Sequence, residues 1–206
     1  MMKPTVLCLA VALLATGCTT RHYGHMGHDK RGIIPNIERG VVPVTKDSPL
    51  VAIVRSVGDS GVTGTFHFYP ATNGVRVVAS VSGLTPNAKH GCHIHAFGDF
   101  TDADTAISAG VHFNPFDHPH ALPPAEHRHA GAFPNLESDA NGNATLDFTD
   151  ETITLTHGVT SVMGRSVIIH VGEDVGAQPW GGAGGRIGMG VIGLAHPDFT
   201  PDQPTQ

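Results

Sequence analysis

From Ser48 onward the chain never runs apolar for long before a turn residue stops it. The segments PLVAIVRSV, GVTGTFHFYP, GVRVVASVSGL, GCHIHAF, ATLDFTDETITLT, SVIIHV and GMGVIGLA alternate or cluster Val, Ile, Thr and Phe. Branched and aromatic side chains at a period of two suit a pleated surface with one buried face, so each segment predicts a short strand. Between them stand GDSG, ATNG and DANGN, where Asn, Asp and Gly tolerate positive φ and let the chain reverse tightly. The 26 Gly and 15 Pro leave little room for long helices, and neither an amphipathic helix nor an internal repeat is evident. Seven or eight such strands predict an all-β fold, a sandwich or closed antiparallel barrel. With 206 residues, 40% of them hydrophobic, one sizeable core is available and hardly a second, so one domain with extensions is expected.

Residues 1–17 hold one Lys, an apolar run too short to span a bilayer, and then small residues, the pattern of a bacterial secretory signal peptide. Leu14-Ala15-Thr16-Gly17-Cys18 resembles a lipoprotein cleavage site, after which a lipidated Cys18 would tie the chain to a membrane. Ordinary cleavage with a free Cys18 is the alternative. Thr19 in place of Asp fits sorting to an outer membrane, and so a periplasmic, extracytoplasmic location. Residues 18–47 are polar and lack a sustained period, as in a flexible tether. This tether carries His22, His25, Met26 and His28, an imidazole and thioether set that suits copper; a solvated linker that happens to contain His explains it equally well. The folded domain is expected over 48–197, with a polar tail over 198–206. Without Lys3 the chain has 11 Lys and Arg against 18 Asp and Glu, a formal charge of −7, which argues against nucleic acid as a partner. Cys8 leaves with the signal peptide, so Cys92 has no partner for a disulfide inside the domain.

Residues 98–138 and 172–185 read as long loops, and loops of that length in a compact β domain are usually functional or disordered. The first contains HFNPFDHPHALPPAEHRHAGAF, with five histidines. Upstream, His93 and His95 lie two apart on a predicted strand, so both project to one face while Cys92 and Ile94 take the other. Two imidazoles about 7 Å apart on a strand can grip one metal. A lone pair of this kind also fits strand histidines that face water.

Four motifs decide between these readings. HGCHIHAFGD, SAGVHFNP, GRSVIIH and GGRIGMGVIGLA, in this order and spacing, resemble the copper,zinc superoxide dismutases over residues 49 to 196. The resemblance implies an eight-stranded Greek-key barrel, immunoglobulin-like, with the site on its outer wall under two long loops. It implies copper held by His93, His95, His112 and His170. It also implies zinc held by His112, as a ligand shared between the two ions, together with His120 and His129. By the same resemblance Asp174 would hydrogen-bond one histidine of each set. Arg186 would face the open copper position, and His112 would carry protons to the product. Neutral imidazoles suit copper in both oxidation states, and an imidazole bridges two cations only when both its nitrogens are deprotonated.

The chain departs from this pattern in two places. The family's fourth zinc ligand is an Asp where this chain has Ala132, which has no donor atom. A substitute from His118, His127 or Asp117 is the favoured expectation; Glu126, water, or weak or absent zinc are the others. Where the family pairs two cysteines, this chain has Ala106 and Met189, and Met189 is expected to replace the missing bond in part by apolar packing. Cys92 replaces a core aromatic and is read as a small buried hydrophobe. The loop VGEDVGAQPWGGAG has no Lys or Arg, so steering of anions should be weak. Two functions remain: a superoxide dismutase, or a surface-tethered copper carrier without turnover. Retention of Arg186 favours the enzyme. A homodimer is compatible with the sequence, which shows no long apolar face.

Overall fold

A computed structural model describes residues 43–196. The signal peptide 1–17, Cys18, the tether histidines with Met26, and the tail 198–206 lie outside the described residues. Nine strands occur among the described residues: β1 Leu50–Ser56, β2 Thr63–Ala71, β3 Gly74–Ser82, β4 Lys89–His90, β5 Cys92–His95, β6 Leu136–Glu137, β7 Ala144–Asp150, β8 Ser166–His170 and β9 Arg186–Leu194. Seven form an antiparallel sheet in the order β5-β8-β9-β1-β2-β3-β7, and β4 pairs with β6. Because β4 runs into β5 across Gly91 and β6 leads into β7, the β4–β6 pair links the two edge strands of the large sheet. The chain passes from β3 and from β7 to the opposite end of the sheet, the long connections of a Greek key. Counting β4 and β5 as one strand interrupted at Gly91 gives the eight strands expected.

Residue alternation explains most of the sheet. Along β3, Val75, Val77, Ala79 and Val81 are buried while Arg76, Ser80 and Ser82 are exposed. These residues pack with Phe66, Phe68, Ile94, Phe133, Leu136, Ile169 and Ile192 in the core. β5 and β8 differ, being buried at every position. Their inner faces supply Cys92, Ile94, Val167 and Ile169 to the core; their outer faces are covered by the two long loops. Cys92 is fully buried, and burial pushes its thiol pKa up, so it behaves as a hydrophobe.

Two expected boundaries shift. β6 falls inside the predicted 98–138 loop. The run ATLDFTDETITLT is not one strand, because β7 stops at Asp150. The buried Asp150 carboxylate accepts bonds from the Thr152 amide at 2.7 Å and from Arg128 Nη2 at 2.9 Å, which turns the chain and fastens the first loop to the barrel. Ala106 and Met189, the positions without cysteine, meet in a small apolar cluster with Val57, Ala109 and Ile168. No helix among the described residues is long and apolar enough to cross a membrane.

Candidate metal centre

The site grows from the outer face of β5. His93 and His95 project from it, paired with Ile168 and Ser166 of β8, their ring centroids 6.4 Å apart. His170 ends β8 beside a register shift, opposite Arg186 of β9. His112 arrives from the first loop and pairs its backbone with that of His95. One ring nitrogen from each of these four buried histidines lies within 4.8 Å of the others.

The hydrogen bonds fix which nitrogen faces inward. His93 Nε2 lies 2.7 Å from Asp174 Oδ2, His95 Nδ1 2.9 Å from the Gly110 carbonyl, and His170 Nδ1 2.9 Å from the Gly184 carbonyl. Carboxylate and carbonyl oxygens accept, so these nitrogens carry the protons. His93 Nδ1, His95 Nε2 and His170 Nε2 are left as lone pairs, buried and without a partner. Unpartnered buried acceptors are costly, and three converging on one centre fit a cation of the kind imidazole prefers, copper or zinc.

A second group shares His112. Its Nδ1 lies 3.2 Å from His129 Nδ1, which lies 3.3 Å from His120 Nδ1, and one ring nitrogen from each of the three lies within 4.8 Å of the others. Facing imidazole nitrogens at such distances also fit a cation. His120 Nε2 lies 2.8 Å from the same Asp174 Oδ2 that holds His93, so one carboxylate oxygen joins a histidine of each group. Asp174 is itself clamped, exchanging two 2.9 Å bonds with Asn135 and accepting the Gly176 amide at 2.8 Å. A side chain at Gly181, which sits at φ +79°, would overlap this carboxylate.

The pKa directions agree with a metal site. Burial, aided by neighbouring imidazoles, lowers His112 far below its ordinary value and takes His129 and His170 to about 4. Burial also lowers His93 and His95. All five are neutral at pH 7, the form that binds metal. For Asp174 burial pushes upward, but hydrogen bonds from His120, His93 and Gly176 outweigh it and hold the carboxyl well below the usual range. Arg186 donates to the Ala106 carbonyl and, at 2.6 Å, to the Gly110 carbonyl that also accepts from His95. Its guanidinium is therefore fixed beside the first group, near enough to depress His95 and His170.

A family model described as copper/zinc superoxide dismutase (SODC) matches residues 62–192. The superoxide dismutase [Cu-Zn] of Saccharomyces cerevisiae is 43% identical over 155 residues, 71% of this chain and 97% of that protein. The chain belongs to the copper/zinc superoxide dismutase family. The extracellular superoxide dismutase [Cu-Zn] of Brugia pahangi is 36% identical over 74% of this chain and 79% of its own. The crystal structure of the clock protein EA4 is similar with a TM-score of 0.66 at 30% identity, covering 75% of this chain and 99% of that one.

Within this dismutase fold Ala132 is fully buried; its amide donates to the His129 carbonyl at 3.0 Å and its backbone pairs with His93. The second group contains neither Asp117, His118 nor His127. The His118 backbone is held by Asn114 and its ring packs 5.1 Å from that of His127, which is exposed, as is Asp117. Gln178 brackets His120 by accepting from its amide at 3.0 Å and donating to its carbonyl at 2.6 Å. Trp180 places its ring 5.4 Å from that of His112. Gln178, Asn135 and Trp180 escaped the sequence reading, and nothing in their spacing marks them.

Proposed function

We propose that this chain disproportionates superoxide to oxygen and hydrogen peroxide at the four-histidine group, with copper as its redox ion. Bound copper would supply one-electron exchange; the residues do the rest. His93, His95, His112 and His170 would hold it, Arg186 would attract and orient the superoxide anion, and His112 Nε2, the ring nitrogen on that side, would hold and hand over a proton only when its lone pair is not bound to the ion. The observation that carries the reading is the convergence of three buried, unpartnered imidazole nitrogens beside a fixed guanidinium. A copper store explains the nitrogens but has no use for Arg186. Superoxide decay measured with copper-loaded protein tests this: turnover well above that of hydrated copper is expected, and a rate no greater would favour storage.

The second group would take zinc through His112, His120 and His129, with Asp174 as the carboxylate common to both sets. His170→Ala is expected to remove copper and leave zinc, and His120→Ala to act mainly on zinc; the reverse pattern in metal analysis would overturn the assignment.

The same proposal includes cleavage after residue 17, lipid on Cys18, a tether to residue 47 that captures copper through His22, His25, Met26 and His28, and an outer-membrane, periplasmic location. Cys18→Ser should release the protein from the membrane fraction. Exposed Ile53, Phe97, Met163, Val191 and Leu194 support a homodimer, which sedimentation would detect.

A further inference from the structure

The second histidine group has three imidazole donors and no fourth side-chain ligand among the described residues. A cleft of about 510 Å³ lies between the two long loops and is lined by all three imidazoles, with Asp117 and His118 on one side and Gln178 and Trp180 on the other. Trp180 is 46% exposed and its ring lies 5.9 Å from that of His129, so it flanks the opening without sealing it. Ala132 offers no donor atom, and the His118 ring turns its Nδ1 to the Arg128 carbonyl at 3.3 Å.

Three imidazoles leave a tetrahedral ion one vertex short, as in zinc sites that keep an exchangeable position rather than closed structural ones. None of them is a carboxylate, so a divalent ion among them keeps one more positive charge than it would with an aspartate in the set. A vacant vertex on a doubly charged ion, reached from solvent through a cleft, selects small anions.

We infer that the second site is an open, ligand-exchanging metal site: an ion held by His112, His120 and His129, with no fourth side-chain donor, takes a small anion from solution through the cleft beside Trp180 that these imidazoles line. This rests on the group being a metal site and not on superoxide turnover.

Cobalt(II) in the second group, with the first filled by spectrally silent copper(I), reports its own coordination in the visible. Titration with azide is expected to shift the cobalt bands saturably. In Ala132→Asp the shift should disappear, and metal loss to a chelator should slow by no less than the roughly 10- to 100-fold that even outer partners of a metal site are worth. Bands that ignore azide in the unaltered protein would overturn the inference. So would bands that ignore it until His118→Ala or Asp117→Ala is introduced, because a loop side chain would then already close the vertex. The azide titration needs no variant, so misfolding of Ala132→Asp leaves the test intact. A cobalt response together with absent superoxide turnover would sink the dismutase proposal alone; turnover with a silent cobalt site would sink only this inference.

Discussion

Replacing Asp174 by Asn keeps the volume of the side chain and removes its charge and one acceptor. The carboxylate serves three donors: Oδ2 takes the ring N–H groups of His93 and His120 at 2.7 and 2.8 Å, and Oδ1 takes the Gly176 amide at 2.8 Å. An Asn side chain has one oxygen. Turned one way its NH₂ faces two imidazole N–H groups; turned the other it faces the Gly176 amide. The second orientation costs less, leaving the half-buried Gly176 amide unpaired for about 1–3 kcal/mol. The two bonds to histidine also lose their charge assistance, worth about 1 kcal/mol each on the difference between charged and neutral hydrogen bonds. A total near 3–5 kcal/mol is therefore expected in metal-free protein, read by denaturant unfolding. Because His93 belongs to one group and His120 to the other, affinity should fall roughly 10- to 100-fold for both ions, measured by competition with a chromophoric chelator. A change confined to one ion, or stability within about 0.5 kcal/mol of the unaltered protein, would refute the shared-carboxylate argument.

Gly181→Ala should reproduce the weakened affinity for both ions, since the added methyl overlaps the same carboxylate at a positive φ; unchanged affinities would mean that Asp174 can move aside. Met189→Ala should cost about 2–5 kcal/mol in unfolding experiments while metal content holds, because Met189 is fully buried against Ala106 and Ile168. A much smaller loss would show that this cluster collapses to fill the gap. Arg186→Gln should slow superoxide turnover at low salt by about tenfold or more and flatten its decline with ionic strength; an unaltered salt slope would count against the attraction assigned to Arg186. Metal-free protein should lose stability in acid. His129 and His170 titrate near 4 in the fold against 6.5 in an unfolded chain, so their contribution is full above pH 6.5 and falls as pH drops toward 4, with Asp174 continuing the loss below 3.8. Stability that stays flat from pH 7 to 4 would contradict this.

Local pattern made the sheet legible and left its coverings hidden. Val75, Val77, Ala79 and Val81 alternate with Arg76, Val78, Ser80 and Ser82, polar but for the half-buried Val78, and the structure pairs them as that alternation requires. The His93–His95 spacing likewise announces one face of a strand. What it could not announce is that this face is buried, because the cover comes from loops with no period. The end of β7 was missed for a related reason: Asp150 stops the strand through Arg128, 22 residues away, and the signal is a partner rather than a pattern. Asn135 and Gln178 act across 39 and 58 residues through single amide groups, which leave no trace in spacing. The four separated motifs carried His93, His95, His112 and His170, and the family resemblance they establish carried His120 and His129 by their spacing after His112, since the family's order and spacing encode long-range contacts that composition cannot.

The two groups rest on unequal foundations. His93, His95 and His170 stand on β5 and β8, whose backbones are hydrogen-bonded to each other and, through β8, to β9, so the packing of the barrel holds them. His120 and His129 stand on loop, positioned by Gln178, Asp174 and the turn that ends at Ala132. A substitution at position 132 would thus act on a site whose frame is already made of side-chain contacts. The strand-borne nitrogens feel it only through His112 and Asp174, the two residues that both groups share.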